Sequence, residues 1–430
     1  MKILHIAAHL GGGAGKAISG IAIQGQQFFK DTHRILLLQQ PEKTVYVQEC
    51  WRNGVEVSNW NDNLVLLGWA DVVVVSWWNH PVMARFLREL PPLEVPLVLW
   101  CHVNGCHYPM LPAVFAEEFD RILFTSPYSL ENSLWTQAER LRIREKFEIV
   151  WGMGQFAPEE MIPKGDYKNR DMFTVGYVGT LNYGKIHPNF AAYCKEAYSR
   201  IPNIKFVLAG DQDAVLEQEI RSAGLAERAT FTGFVSDAPA LMRTFDVFGY
   251  LLNPEHYGTT ENVLLEAMAC GLPVIALRQN VEQYIIPPEA GTLVEDAAEY
   301  VQQLETLWKD PVKRRKMGHC ARACVIERYD GRKNAKNFRI ACRSAASARE
   351  RAHSFTFLGD SPWEWFLHFL DERNRALLET ARELDDLFAR DALRKCSPIL
   401  REKRKSSLRH FAAIYPQDEI LQRFDSLLKE

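Results

Sequence analysis

The stretch Gly258–Val274 constrains this chain more than any other. It runs from a Gly-Thr-Thr loop into a short helical pattern and stops at Gly271-Leu272-Pro273, after which the apolar strand Val274-Ile275-Ala276-Leu277 follows. Val263, Leu264 and Ala267 stand at i, i+1 and i+4, a spacing that lays one helix face on a sheet. Glu261 and Asn262 fall at the helix start, where a carboxylate and free backbone N–H groups are at home. Glu266 lies in the first turns, on a face that could point at a ligand. A loop feeding a helix N-terminus suits an anion such as a phosphate. A helix packed in an α/β domain, with one solvated glutamate, accounts for the same residues without any ligand.

The chain around it alternates in the manner of a doubly wound α/β protein. Ile3–Ala8 is an apolar run ending at Gly11-Gly12-Gly13-Ala14-Gly15-Lys16, and a helical pattern through Ile18, Ile21 and Ile23 follows. This is strand, glycine loop, helix, and glycines there let backbone N–H groups approach a phosphate or sugar. Two sharper motifs fail. A Walker loop needs Gly at Leu10 and Ser or Thr at Ala17, and the dinucleotide fingerprint needs Gly at Lys16. Further strand-like runs come at 34–38, 71–76, 95–100 and 121–125, with a helical stretch at 83–90. The alternation predicts a mainly parallel sheet with helices on both faces. Ligands of such sheets sit beyond the carboxyl ends of the strands, which singles out Trp77–His80 and Cys101–Asn104. Cys101, His102, Cys106 and His107 could suggest zinc, but no second ligand cluster with zinc-like spacing accompanies them. Burial of the cysteines as small apolar side chains is the simpler reading.

Between Phe156 and Lys168 the periodicity lapses amid Pro158, Pro163 and Gly165, which marks a linker. A second series of strands begins at Phe173–Val178 and runs into Gly179-Thr180, with Lys185 a few residues on. Strands at 205–209, 230–235 and 246–251 follow, then a helical pattern over 297–328. Asp211-Gln212-Asp213 after one strand has the form of a metal-binding Asp-x-Asp.

With these motifs assembled, the second half resembles the retaining, GT-B-fold glycosyltransferases of family 4. The resemblance covers about Phe173–Val294 and rests most on Asn262-Val263-Leu264-Leu265-Glu266-Ala267-Met268-Ala269-Cys270-Gly271-Leu272-Pro273-Val274. It implies that Glu266 holds the ribose hydroxyls of a sugar nucleotide. The family's first Glu, which touches the donor sugar, is replaced in register by Gly258, and Glu255 or Glu261 could stand in. Lys185, six residues after Gly179, matches the Lys of the family's diphosphate clamp. Thr180 replaces its Arg, so that charge would have to come from Lys16, Arg278 or His187. The resemblance further implies donor-side roles for Thr259, Thr260, Asn262 and Phe234, the last beside the base. It gives His102 the place of the cleft histidine. Gly12, Gly13 and Lys16 take the place of the loop that meets acceptor and donor phosphate. The Asp-x-Asp corresponds to a family Gly-rich turn without metal duty.

The fold class implied is α/β, GT-B: two doubly wound Rossmann-like domains facing a cleft, with a helical C-terminal extension. The bounds are 1–160 for the acceptor-side domain, 161–172 for the linker, 173–343 for the nucleotide-sugar domain and 344–430 for the extension. At 430 residues, 47% apolar and 24% charged, the chain is long and apolar enough for two such cores. A late segment, 329–343, could serve as the helix that crosses back to the first domain.

In the extension, Ser361-Pro362-Trp363-Glu364 predicts a capping box, with a helix on through Trp365 and Phe369 to Leu387. Arg394-Lys395 and Arg401–Lys405 form a basic cluster beside Leu393, Ile399, Leu400 and Leu408. Such a segment could touch an anionic membrane surface, or be a helical cap with a solvated basic face. Nine scattered cysteines suit reduced thiols. The absence of a signal-peptide pattern and of any 18-residue apolar run predicts a cytoplasmic protein, possible membrane contact being peripheral. A net charge of −3 gives no reason to expect nucleic acid as a partner.

The activity implied is metal-independent transfer of a sugar from a nucleotide diphosphate sugar, with retention and without a cofactor. The acceptor is open among a glycan, a lipid-linked, a protein or a small-molecule acceptor. Lys185, Glu266 and His102 are the expected catalytic residues. Two alternatives remain: a catalytically silent sugar-nucleotide-binding protein, and a GT-B enzyme acting on the sugar nucleotide without an acceptor.

Overall fold

A computed structural model describes residues 1–41, 43–60, 64–91, 93–165, 171–211, 214–347, 353–401 and 405–429. The chain divides into two compact units. The first comprises Met1–Gln155, Tyr257–Thr260 and Gly331–Glu430. Its sheet has seven strands: β1 (Lys2–Ala7), β2 (Thr32–Leu37), β3 (Glu56–Asn59), β4 (Val72–Trp77), β5 (Leu97–Cys101), β6 (Arg121–Phe124) and β7 (Phe147–Ile149). All pair in parallel, in the order β3-β2-β1-β4-β5-β6-β7. The central strand β4, Val-Val-Val-Val-Ser-Trp, is buried at every position, as a parallel strand covered on both faces should be. The expected runs match β1, β2, β4, β5 and β6. The short edge strand β3 escaped them because Glu-Val-Ser-Asn carries no apolar run.

The C-terminal segment Gly331–Glu430 shares one apolar core with this sheet. It takes with it the helix Gly331–Ala346, most of which the expected bounds place in the second domain. Phe338 of that helix stacks on His5 of β1 at 5.6 Å, and Asn334 exchanges two hydrogen bonds with the backbone of Trp151 (2.9 and 2.7 Å). The capping box at Ser361 and Glu364 is present. The single long helix expected after it is three helices, Pro362–His368, Glu372–Glu383 and Asp386–Lys395. Asp371 and Asp385 restart the chain by accepting from the backbone N–H groups of Asn374, and of Leu387 and Phe388. Of the basic cluster, residues 402–404 lie outside the described residues. Leu393, Leu400 and Leu408 are buried in the core. Ile399, the fourth apolar residue of that cluster, is half-buried. Among the described residues, no helix is long and apolar enough to cross a membrane.

The second unit comprises Phe156–His256 and Glu261–Asp330. Its strands are β8 (Phe173–Val178), β9 (Ile204–Ala209), β10 (Ala229–Gly233), β11 (Val247–Tyr250), β12 (Val274–Leu277) and β13 (Gly291–Val294). They too are all parallel, in the order β10-β9-β8-β11-β12-β13. The helical pattern over 297–328 is two helices, Ala297–Lys309 and Pro311–Arg328. Pro311 has no N–H to continue the first, and Asp310 caps the second through Lys313 N. Gly176 in β8 is held to glycine by packing: a Cβ there would lie 1.9 Å from the buried ring of Phe245. Gly176→Ala is expected to cost about 3 kcal/mol of the second unit's stability. Urea unfolding measures it, and a loss below about 0.5 kcal/mol would mean the ring has room to withdraw.

Candidate functional site

In each unit the strand order reverses beside the first strand, between β1 and β4 and between β8 and β11. Open parallel sheets bind ligands at that reversal, beyond the strands' carboxyl ends. In the second unit the chain leaves β8 at Gly179, whose φ is +150°. A Cβ on Gly210, at the end of β9, would meet Gly179 O at 1.8 Å, so the two turns touch backbone to backbone. Thr180 is exposed, and its carbonyl accepts from Tyr177 Oη at 3.1 Å. The loop then folds back on the segment after β11. Asn253 N donates to Lys185 O at 2.9 Å, and Ile186 bridges Leu252. This fixes the backbone from which Lys185 extends.

Lys185 Nζ donates to both carboxylate oxygens of Glu261, at 2.6 and 2.7 Å. Glu261 sits just before the helix Asn262–Ala269 with left-handed φ and ψ of 49° and 63°. That is a costly conformation for a residue with a Cβ, and surrounding contacts must impose it. Tyr250 Oη, at the end of β11, also donates to Glu261 Oε2. On the other side His256 Nδ1 stands 3.7 Å from Glu261 Oε1, while His256 Nε2 is 3.1 Å from Glu282 Oε1. The side chains of His256, Glu282 and Glu261 are 0%, 1% and 5% exposed. Burial alone would raise the Glu261 pKa. The charges of Lys185 and His256, with the hydrogen bonds from Lys185 and Tyr250, outweigh it and hold the carboxyl below its usual range. Tyr250, by burial and by facing this carboxylate, stays protonated far above its usual range. Tyr250 in turn stacks on Tyr177 at 5.7 Å.

Of the two candidates for the missing first glutamate, Glu261 is built into this network and Glu255 is exposed on the loop. Asn262, Val263 and Glu266 form the half-buried face of the helix; Leu264, Leu265, Ala267 and Met268 are buried. Val263 thus lies on the half-buried side with Glu266, not on the packed face its spacing suggested. Arg278, a candidate for the missing clamp arginine, pairs with Glu295 at 2.6 Å on the surface. His187 accepts from Asn189 N at 3.1 Å. Phe234 is 79% exposed just past β10. Within the described residues 212 and 213 of the Asp-x-Asp are not included. Tyr250, His256 and Glu282 were not singled out by sequence: no motif spacing links them, and only the fold brings them to one carboxylate.

The remaining candidates belong to the first unit. Gly12 (φ +61°) and Gly13 are exposed at the start of helix Gly12–Phe29, which has no side-chain cap and no acidic first turn. Lys16 is half-buried on that helix. The side chains of Thr259 and Thr260 are committed to protein partners. Thr259 Oγ1 meets Thr125 Oγ1 and Ser126 Oγ at 2.9 and 3.0 Å. Thr260 Oγ1 accepts from Gly152 N at 2.9 Å and donates to Thr125 O at 3.1 Å. The donor-side part expected of this loop falls to its backbone amides, which these hydroxyl contacts leave untouched. Gly258 O accepts from Asn104 Nδ2 at 3.1 Å. His102 follows β5 with its ring 4.5 Å from Trp100; its Nε2 is enclosed and without a partner. Burial, with His5 nearby, holds it down to about 3, so it is a neutral imidazole. Of the thiols in the zinc alternative, Cys101 Sγ donates to Val103 O at 3.2 Å and Cys106 Sγ to Tyr128 O at 3.4 Å. Burial pushes both up to about 12.

Comparison with known proteins adds to this geometry. The family described as "Glycosyl transferases group 1" matches residues 172–310. The chain is 37% identical over 106 residues to the 2-deoxystreptamine N-acetyl-D-glucosaminyltransferase of Streptomyces fradiae, covering 23% of this chain and 24% of that protein. It is 31% identical over 134 residues to the N-acetyl-alpha-D-glucosaminyl L-malate synthase of Bacillus anthracis, covering 30% and 34%. The matches thus span about a quarter to a third of these curated relatives. Solved structures align far more broadly. HepE of Anabaena in complex with UDP superposes with a TM-score of 0.61 at 18% identity, covering 80% of this chain and 100% of that one. Sucrose-phosphate synthase of Thermosynechococcus elongatus gives 0.59 at 17% identity, covering 81% and 100%. At these identities the likeness shows the fold: two Rossmann-like parallel-sheet units with a helical C-terminal region, as in GT-B proteins.

Proposed function

We propose that this chain, with its GT-B fold, is a glycosyltransferase that takes its sugar from a nucleotide diphosphate sugar. The observation that carries the proposal is the approach of Lys185 to Glu261 at the carboxyl ends of β8 and β11. That pair lies inside the segment similar to group 1 glycosyl transferases. Similarity to transferases of N-acetylglucosaminyl groups and to a UDP-bound fold neighbour supports it further.

In this reading the difficult step is departure of a diphosphate from a carbon with oxocarbenium character. A cation placed at the developing negative charge stabilises that step more than the ground state. Lys185 would leave Glu261 to meet the diphosphate. Glu261, still held by Tyr250 and facing His256, would accept from sugar hydroxyls in place of the absent Glu at position 258. Glu266 would accept from the ribose hydroxyls, and Phe234 would cover the base. His102 would serve the acceptor side only as a neutral imidazole. The acceptor oxygen would bond the anomeric carbon on the face the diphosphate leaves, and the departing phosphate would take its proton, so that no metal and no protein nucleophile enters the scheme and the anomeric configuration is retained. The acceptor stays open among a glycan, a lipid-linked, a protein or a small-molecule acceptor.

One observation favours the silent alternative: Lys185 is already committed to Glu261, and Thr180 supplies no second cation. The two readings separate by turnover. Melting against UDP, GDP, ADP, CMP and dTDP tests what they share. One nucleotide at 100 times its Kd should add about 2.7 kcal/mol, a rise of roughly 5–10 °C. Glu266→Ala should weaken that nucleotide about 10- to 100-fold, the size of one or two lost charge-assisted hydrogen bonds. Equal affinity in wild type and Glu266→Ala would remove Glu266 from the site. No response to any nucleotide would overturn both readings.

A further inference from the structure

Helix Pro311–Arg328 lies hard against the turn that ends helix Asn262–Ala269. A Cβ on Gly318 would come within 2.1 Å of Gly271 O, so the two backbones are in contact. Gly271 itself has φ +76°, the left-handed stop of that helix. Residues 315, 318, 319 and 322 share one helix face at i, i+3, i+4 and i+7. The contact at Gly318 therefore sets Arg315, His319 and Arg322 around the turn. With Lys164 they line a cavity of about 200 Å³. No carboxylate is among the described residues that line it.

Two of these side chains have structural employment. Arg322 donates to Ala269 O, capping the carbonyl end of the short helix, and to Glu159 O at 3.3 Å. Lys164 donates to Phe245 O and lies 3.6 Å from Asp246 Oδ1 with its side chain 5% exposed. Arg315 and His319 have no hydrogen bond or ion pair with any described residue. A half-buried guanidinium beside a cavity, without a protein acceptor, is matched best by an anion with several oxygens. The negative end of helix Asn262–Ala269 opposes an anion there, but Arg322 already offsets it.

We propose that this cavity binds a phosphoryl group through Arg315, His319 and Arg322. The volume holds a phosphate and a few waters. It is below the roughly 300–1,000 Å³ that larger ligands occupy, so a whole sugar nucleotide is excluded. The cavity is also distinct from the Lys185–Glu261 pair. It lies at the opposite end of the eight-residue helix from Glu261, about 12 Å away at 1.5 Å per residue. The phosphoryl group belongs either to a small soluble phosphate or to a lipid headgroup; Lys313 and Lys316, exposed on the same helix, suit both.

The test compares the full-length wild type with Arg315→Gln/His319→Gln and with Lys185→Gln. Melting is followed in potassium phosphate against potassium chloride at equal ionic strength. Co-sedimentation is followed with vesicles of phosphatidylcholine, with and without phosphatidic acid. Phosphate should stabilise the wild type and Lys185→Gln, and its apparent Kd should weaken at least about tenfold in the double variant. A response to free phosphate without vesicle binding identifies a soluble ligand. Phosphatidic-acid binding that the double variant loses identifies a headgroup. Arg315→Gln alone, expected to weaken phosphate several-fold, serves if circular dichroism shows the double variant unfolded. The proposal is overturned if neither probe separates the variants from wild type, or if the phosphate response is lost in Lys185→Gln instead.

Discussion

Lys185→Ala is expected to lower sugar transfer by about 100- to 1,000-fold, the size of removing one preorganised charge from a developing anion. It is also expected to destabilise the second unit, which a surface lysine would not do. Lys185 is 25% exposed and Glu261 only 5%. Removing the lysine leaves a buried carboxylate with a tyrosine and a histidine for company. Breaking a buried pair from one side costs about 3–5 kcal/mol; the part-exposed lysine puts this case at or below the lower figure. The two effects separate in a double variant. Lys185→Ala/Glu261→Gln removes both charges and keeps the Tyr250 hydrogen bond, so it should regain most of the stability and none of the turnover. Recovery of turnover in the double variant would mean that Lys185 acts only by neutralising Glu261. Unchanged turnover in Lys185→Ala would remove Lys185 from the mechanism.

Acidification from pH 7 to pH 5 is expected to weaken the first unit by at least about 4 kcal/mol, the share of His33 and His80 alone, with His5 and His102, also buried in the neutral form, adding to the loss. Burial, with the N-terminal ammonium beside it, holds His33 down to about 3. Burial, followed by His410, His9 and Lys405, holds His80 down to about 2. Both side chains sit at 2% residue exposure. The folded pKa is below the unfolded value near 6.5, so the unfolded chain binds more protons between them. Stability is complete above about pH 6.5 and falls as the pH drops through that window. At 1.36 kcal/mol per pH unit, each histidine loses about 2 kcal/mol by pH 5. That is a large share of an ordinary stability of 5–15 kcal/mol. Urea midpoints at the two pH values measure the loss. A flat profile, or a His33 resonance titrating near 6.5, would contradict the buried neutral state. His5 shares the same fate beside His33, at 2.8 Å from its Nδ1.

Much of the fold is legible in the chain because burial on both faces leaves a direct trace. Strands β1, β4, β8, β9 and β12 are near-continuous apolar runs, and a parallel sheet is what buries such runs. The glycines at 179 and 271 and the proline at 362 mark turns and a helix start by backbone sterics alone. The short edge strands and the breaks at Asp371 and Asp385 are less legible. There a single capping carboxylate outweighs an apolar periodicity that runs straight through it.

The candidate site divides in the same way. Local spacing by itself determined the helix after Glu261, the half-exposed place of Glu266, and the distance from Gly179 to Lys185. It determined these because each depends on residues within a few positions of one another. Only the tertiary structure decided that Glu261 takes the lysine, that Tyr250, His256 and Glu282 surround it, and that the hydroxyls of Thr259 and Thr260 go to Thr125, Ser126 and Gly152. It alone decided that Gly331–Glu430 shares the first unit's core and buries Leu393, Leu400 and Leu408 there. A buried charge is stable only where partners from distant strands converge on it, and sequence order carries no record of that convergence.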